Sequence, residues 1–465
     1  MNPHVRQYDG GRVLVGGSPG RLMRLSAKAV TLLDGDELAV SSVTAVLAER
    51  LLDAGMMDPV AATLPTPSLD ELSVVVPVRD RPRQLDRLLG ALPRDVHVLV
   101  VDDASKRPDL VAATAKKHGA EVVALSVNVG PAAARNRGFA ASRTPYVAFV
   151  DSDVVPDPGT FDVLLRHFAD PGLALVAPRI LGLQSETARS RGTVDVLDRY
   201  EAAMSSLDRG PDPALVRPMS RVAWLPSACV VVRRTALAAC DGFSEEMRVG
   251  EDVDLVWRLA SSGHRVRYEP GVSVQHEHRV SPRSWLVRKA VYGTSAAPLA
   301  ERHGPAVAPA VFTPWTVAFA AAVVAQRRWS LPVAGAVWAL AAGRLVQRCR
   351  PTTGQGIAWP ATTQLAARLS YDGASSSLQQ VGALALRHWW PVVLPAALVS
   401  SRVRRVVAVA AVADAAHEWR RTRPDLDPVN FLVARRLDDL AYGAGVWSGA
   451  FRARSARALL PRLTR

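Results

Sequence analysis

The stretch Tyr146-Val-Ala-Phe-Val-Asp-Ser-Asp-Val-Val-Pro156 limits the architectures open to this chain more than any other. Its first five residues are apolar at both alternating positions, so a strand built from them needs cover on both faces. Pro156 closes the segment, because proline donates nothing to a sheet ladder. Before that, the run leads directly into Asp151 and Asp153. If strand geometry persists across Ser152, the period of two puts both carboxylates on one side of the backbone. Open α/β sheets bind ligands at the C-terminal ends of their strands. A carboxylate pair there suits a divalent cation that keeps coordination positions for substrate phosphates. The spacing alone does not decide this. Asp34/Asp36, Asp252/Asp254 and Asp425/Asp427 share it, and a solvated turn is the competing reading.

The surrounding segments carry the argument further. Leu72-Ser-Val-Val-Val-Pro-Val78 reads as a second buried strand, His97 to Asp103 as a third, and Glu121 to Leu125 as a fourth. Helical stretches alternate with them: Arg83 to Leu92, Pro108 to Gly119, and the Ala-rich Gly130 to Ser142. This βαβαβα rhythm predicts an α/β, doubly wound, mostly parallel sheet with helices on both faces.

On such a sheet, four segments fall at strand ends or helix starts along one edge. They are Pro77-Val-Arg-Asp80-Arg81, Asp102-Asp103-Ala-Ser105, Asn128 to Gly138, and Asp151-Ser-Asp153. Asp80 and Asp103 are able to accept hydrogen bonds from a base N–H or from ribose hydroxyls; turn capping is the alternative. Gly130 and Ala132 to Ala134 leave room for a ligand close to the helix, and Arg135 suits a phosphate or carboxylate.

These segments resemble the GT-A fold glycosyltransferases of the large second family, which are inverting and nucleotide-sugar-dependent. The likeness covers roughly residues 70–280. It is completed by Cys240-Asp-Gly-Phe243 and by Gly250-Glu-Asp252-Val-Asp-Leu-Val-Trp-Arg258. The resemblance implies that Asp80 and Asp103 hold the nucleoside, and that Asp151 and Asp153 hold Mg²⁺ or Mn²⁺ against the diphosphate. It implies Asp252 as the catalytic base, with Glu251 and Arg135 on the substrate side. His278, in Val274-Gln-His-Glu-His278, resembles a late histidine that serves some of these enzymes as a further metal ligand. Inverting transfer needs one base to take the acceptor's proton and a cation to neutralise the departing diphosphate. On a helix starting near Gly250, Glu251 and Asp252 point about 100° apart, so only one faces the reacting centre. Helix capping is the alternative for both. The chain has Ser281-Pro-Arg-Ser-Trp285 where processive synthases carry Gln-x-x-Arg-Trp, which argues against a long-chain polymerase.

A closer likeness rests on three segments: Gly16 to Ser26, Gly250 to Leu255, and Leu437-Asp-Asp-Leu-Ala-Tyr-Gly-Ala-Gly-Val-Trp447. It is to family members that glucosylate a peptide-derived redox cofactor precursor. That implies transfer from UDP-glucose, extended by further glucoses into a short β-glucan. Other readings are transfer to a polyprenyl phosphate and a catalytically silent binding protein.

At 465 residues the chain calls for two or three domains. Residues 1–65 resemble a small winged-helix-like, peptide-recognition-like domain; a purely structural cap on the next domain is the alternative. Leu22, Leu25, Ala29 and Leu32 there stand at helical spacing, and Ala62 to Ser68 forms a linker. The catalytic domain is expected over 70–300, and a helical, membrane-associated region over 304–465. The net charge of +14 sits almost wholly in residues 301–465, which carry 21 Lys+Arg against 8 Asp+Glu. A neutral front and a basic, apolar back favour an anionic membrane surface over nucleic acid. Gly304 to Gln326 is uncharged and long enough to span a bilayer, though Pro305, Pro309 and Pro314 interrupt it; in-plane helices compete. Three cysteines make no disulfide framework, and residues 1–20 lack a signal-peptide core. The expected location is the cell membrane, with the catalytic domain on the cytoplasmic side.

Overall fold

The computed structural model describes residues 1–33, 35–183, 196–277, 281–349 and 359–464. The chain gathers into two compact units. The first comprises Met1–Arg6, Leu14–Val194 and Met204–His278; the second comprises Gln7–Val13, Asp195–Ala203 and Arg279–Arg465.

The chain opens on short strands. β1 (Arg6–Tyr8), β2 (Val13–Gly16) and β3 (Arg21–Arg24) form a three-stranded sheet, followed by the helices Ala27–Thr31 and Ala45–Asp53. The helical spacing that starts at Leu22 therefore misleads: Arg21–Arg24 is extended, and helix begins only after Ser26, whose hydroxyl caps it by accepting from the Ala29 N–H. Arg265 ties this region to the larger sheet, with Nη1 at 2.8 Å from Glu49 and 2.6 Å from Asp53.

The larger sheet is built on β4 (Leu72–Val78), β5 (His97–Asp102), β6 (Glu121–Ala124) and β7 (Tyr146–Val150), which run parallel in the order β6-β5-β4-β7. Both faces of β4 are buried, as its unbroken apolar run requires. Val74, Val76 and Val78 pack with Leu85 and Leu88 of the helix Pro82–Ala91. Val75 faces the helix Pro131–Ala141 at Gly138, where a Cβ would lie 2.2 Å from Val75 Cγ1.

Beyond β7 the sheet becomes mixed. It continues through β8 (Val154–Pro156), β9 (Leu173–Leu183), β10 (Ala214–Leu215), β11 (Cys229–Arg233) and β12 (Arg265–Glu277). β11 runs antiparallel to both β7 and β9, while β12 runs parallel to β9. This GT-A-like α/β sheet is thus less uniformly parallel than the early βαβ rhythm suggests, because the strands after β7 arrive by other connections.

The second unit is helical. Its helices include Val196–Met204, Pro282–Thr294, Ala296–His303, Ser330–Cys349, Trp359–Ala383, Ser401–Thr422 and Pro428–Arg452. Small residues bring two of them together: a Cβ on Gly445 would lie 1.8 Å from the Ala290 carbonyl oxygen, and one on Gly293 would lie 2.1 Å from that of Tyr442. The uncharged stretch from Gly304 does not form one span. It breaks into a 3-10 turn at Gly304–Val307, a two-residue strand Val311–Phe312 and an eleven-residue helix Pro314–Val324. Pro305 and Pro314 stand at the first positions of the two helical pieces, where proline's missing N–H is tolerated, and Pro309 lies between them. Among the described residues no single helix is long and apolar enough to cross a membrane. One bent pair, Ala361–His388 and Trp390–Val399, has the length and composition together, with a 96° bend.

Candidate active site

The carboxylates singled out in the sequence lie at one edge of the large sheet, where β7 stops. The strand ends at Val150, so alternation does not govern Asp151 and Asp153; the chain turns instead, with the Val154 N–H donating to the Asp151 carbonyl at 3.0 Å. β8 then pairs with the end of β12, aligning Val154 with His276. This crossing sets His276 Nε2 3.5 Å from Asp153 Oδ1, with the imidazole buried. Arg81, quoted in the first-strand motif without a contact assigned, pairs with the other oxygen of Asp153. Burial by itself would raise the Asp153 pKa, but the charges of His276 and Arg81 outweigh it and hold it below the usual carboxylate range.

Arg135 is the hub of the second carboxylate group. It sits in the first turns of Pro131–Ala141, a helix led in by Gly130 at φ +89°. Its side chain is only 4% exposed. One nitrogen donates to Asp151 at 2.7 Å and the other to Glu251 at 3.1 Å. The guanidinium carbon lies 5.3 Å from the centre of the Phe243 ring. Burial would lower the Arg135 pKa; Asp151 and Glu251 more than compensate, and the group stays charged. The sequence offered Arg135 a phosphate or a carboxylate as partner, and here both ends of its fork bind carboxylates of the chain itself.

Glu251 and Asp252 open the helix Glu251–Ser261, entered through Gly250 at φ +85°. The two side chains diverge, as the helical rotation between neighbours demands. Glu251 turns inward to Arg135, while Asp252 is half-buried, with Oδ1 accepting from the Val253 N–H at 2.8 Å. Desolvation, reinforced by the adjacent Glu251, pushes the Asp252 carboxyl up to about 7.

Asp80 and Asp103 shape the loops beside this group. Asp80, at φ +58°, donates its N–H to Ser105 Oγ at 2.9 Å and accepts from the Lys106 N–H at 2.7 Å. Asp103 accepts from the N–H groups of Val129 (2.7 Å) and Gly130 (3.0 Å). Each therefore spends accepting capacity on backbone; a carboxylate has about four accepting positions, so a ligand hydroxyl still has room. Asn136, assigned no role from sequence, fixes the turn before the helix Glu251–Ser261. Its amide nitrogen donates to the Phe243 carbonyl at 2.8 Å and its oxygen accepts from the Phe243 N–H at 2.9 Å. Arg258 holds the same turn through the Gly242 carbonyl at 2.7 Å and Asp254 at 2.8 Å. The Asn136 and Arg258 positions were visible only as parts of motifs.

His278 lies outside the described residues. Among the described residues, no three His, Cys, Asp or Glu side chains gather as a ready metal cage. The donor chemistry nevertheless fits a hard divalent cation. Two carboxylates stand at the strand end, and Mg²⁺-type ions are commonly held by one or two carboxylates plus substrate phosphates and water.

Residues 73–212 match the model for glycosyl transferase family 2, and residues 146–399 that for glycosyl transferase family group 2. The fold and the matched span establish the class: the chain belongs to glycosyl transferase family 2. Within it, the chain is similar from end to end to a pre-mycofactocin glycosyltransferase of Mycobacterium tuberculosis, at 43% identity covering 100% of this chain and 97% of that one. The O-antigen biosynthesis protein RfbC of Myxococcus xanthus is 27% identical over 52% of this chain and 20% of its own length. Among solved structures, a mannosyltransferase from Pyrobaculum calidifontis in complex with GDP-Man and Mn2+ aligns with a TM-score of 0.39 and 20% identity, covering 72% of this chain and 91% of that one.

Proposed function

We propose that this glycosyltransferase is inverting and metal-dependent, and that it moves glucose from UDP-glucose onto the peptide-derived precursor of mycofactocin, extending it into a short β-glucan. The observation that carries the reading is the single cluster of Asp151, Glu251 and Arg135 with the neutrality-poised Asp252 beside it. The acceptor rests on the full-length similarity to an enzyme named for pre-mycofactocin.

In this reading Asp252 accepts the proton of the acceptor hydroxyl as its oxygen attacks the anomeric carbon. Its pKa near 7 matches a general base working at neutral pH. Glu251, neutralised by Arg135, stays out of the reaction. Asp151 and Asp153 are the residues that would hold Mg²⁺ or Mn²⁺, and a bound cation supplies neutralisation of the departing diphosphate. Asp80 and Asp103 fix the loops against the nucleoside. Residues 1–65 are read as the peptide-recognition part; their small sheet and two helices, tied to β12 by Arg265, support that assignment.

The test is mass spectrometry of the products after incubating the purified chain with Mn²⁺, a panel of nucleotide sugars and the peptide-derived acceptor. UDP-glucose should add one or more hexoses, and chelation should stop the addition. Hexose found only on a polyprenyl phosphate, or no UDP release with any acceptor, would refute the reading.

A further inference from the structure

The basic half of the chain carries an unusual surface. Between residues 302 and 413 the sequence holds eleven arginines and one carboxylate, Asp372, which pairs with Arg368 at 3.3 Å. The helix Trp390–Val399 crosses this region. Its beginning is anchored: Trp389 Nε1 donates to the Leu459 carbonyl at 2.8 Å, and Trp390 packs where a Cβ on Gly443 would come within 2.7 Å of its indole nitrogen. Its far end is bare, with Leu398 83% and Val399 89% exposed. Ser400 then starts the helix Ser401–Thr422, its hydroxyl accepting from the Val403 N–H, and Arg402, Arg404 and Arg405 follow within about one turn.

A second bare tip lies beside the first. Gln326 Nε2 donates to the Arg402 carbonyl at 2.9 Å. That bond brings Arg327, Arg328, Trp329 and Leu331 to the same corner, all exposed, Leu331 at 77%. The two joined segments thus carry four exposed apolar side chains and five exposed arginines.

The charge and the geometry select the occupant. Exposed apolar tips among cations suit a surface with anionic phosphates outside and acyl chains beneath. A second copy of the chain would set the same five arginines against each other across a two-fold interface. No single described helix is long and apolar enough to span a bilayer, and the bend of 96° ahead of Trp390–Val399 suits a helix lying in the interface. We propose that this corner docks on an anionic membrane surface: Trp329, Leu331, Leu398 and Val399 enter the headgroup region, and Arg327, Arg328, Arg402, Arg404 and Arg405 meet lipid phosphates. The proposal is independent of which sugar or acceptor the active site uses.

Flotation of the full chain with vesicles tests it. The vesicles are phosphatidylcholine with one quarter phosphatidylglycerol, or phosphatidylcholine alone. The chain should float with the first and stay behind with the second. Leu398→Asp with Val399→Asp, and separately Arg402→Glu with Arg405→Glu, should each cut the bound fraction at least about tenfold. Their melting temperatures should match the wild type; if an aspartate pair melts lower, Leu398→Ser with Val399→Ser replaces it and should show the same loss. Equal binding to both vesicles, binding unchanged in the variants, or no binding at all overturns the proposal. So does a wild-type dimer in sedimentation that the Leu398/Val399 variants dissolve while vesicles capture nothing.

Discussion

At the scale of single residues, the proposed base Asp252 and its neighbour Arg135 offer the sharpest tests of the proposed reaction. The Asp252 carboxyl is raised to about 7 because burial and Glu251 oppose its charge. Transfer should therefore climb as pH rises through about 7 and level off above it, because only the ionised form accepts a proton. Asp252→Asn should lower turnover at least ~100-fold while leaving nucleotide-sugar affinity nearly intact, measured by UDP release and calorimetry. The same shift has a stability consequence. A carboxyl raised by folding contributes stability that is present below its unfolded pKa, about 3.9, and is lost as pH rises to its folded value. Asp252→Asn cannot ionise, so its melting temperature should match the wild type in acid and exceed it above neutrality. Arg135→Met should cost about 3–5 kcal/mol in chemical denaturation, since it strands Asp151 and Glu251 at a buried position. It should also move the pH midpoint of any residual transfer upward, because Arg135 is one of the charges that favour ionised Asp252.

At the scale of elements, the parallel half of the sheet was legible in the sequence because its strands are buried on both sides and apolar throughout. Leu72–Val78 falls where the apolar run places it. Helix Pro131–Ala141 begins one residue inside the stretch read from sequence, Gly130 serving as its cap. What the sequence hid was tertiary. Nothing in Tyr146–Pro156 shows that the strand stops at Val150, because the turn is imposed by the pairing of Val154 with His276 on a strand more than a hundred residues later. Nor does Arg135 announce two carboxylate partners, one of them 116 positions away. The N-terminal error has the same origin: Leu22 stands at helical spacing with Leu25, Ala29 and Leu32 but is claimed by a sheet. Gly138 shows how tightly one element constrains another. A Cβ there would lie 2.2 Å from Val75 Cγ1 and 3.0 Å from Val101 Cγ2. Gly138→Ala should thus force the site-bearing helix off the sheet, costing about 1–3 kcal/mol in denaturant unfolding and lowering transfer as Arg135 shifts with it.

At the scale of the whole chain, two compact units with separate cores are not expected to unfold in one two-state step. The core of the second unit is unusual in being partly ionic. Lys289 is 4% exposed, 2.8 Å from Glu201 and 3.1 Å from Asp438. Trp285 Nε1 also donates to Glu201, and Tyr200 OH to Asp438. Asp439 alongside takes Arg387 at 2.9 Å and Arg436 at 3.0 Å. The segment Leu437 to Trp447, noticed in the sequence only through likeness, thereby acquires a physical reason: its aspartates are buried counter-charges and its Gly443 and Gly445 admit neighbouring backbone. Burial would lower the Lys289 pKa, yet Asp438 and Glu201 raise it, so the ammonium is the state the core is built around. Lys289→Met fills the space but takes the ammonium from Glu201 and leaves Asp438 only Arg387, at 3.8 Å. It should cost about 3–5 kcal/mol. Scanning calorimetry should show Lys289→Met lowering one transition and Gly138→Ala lowering another, since the two residues belong to different cores. A single transition moved equally by both would mean that the helical unit and the sheet fold only as one.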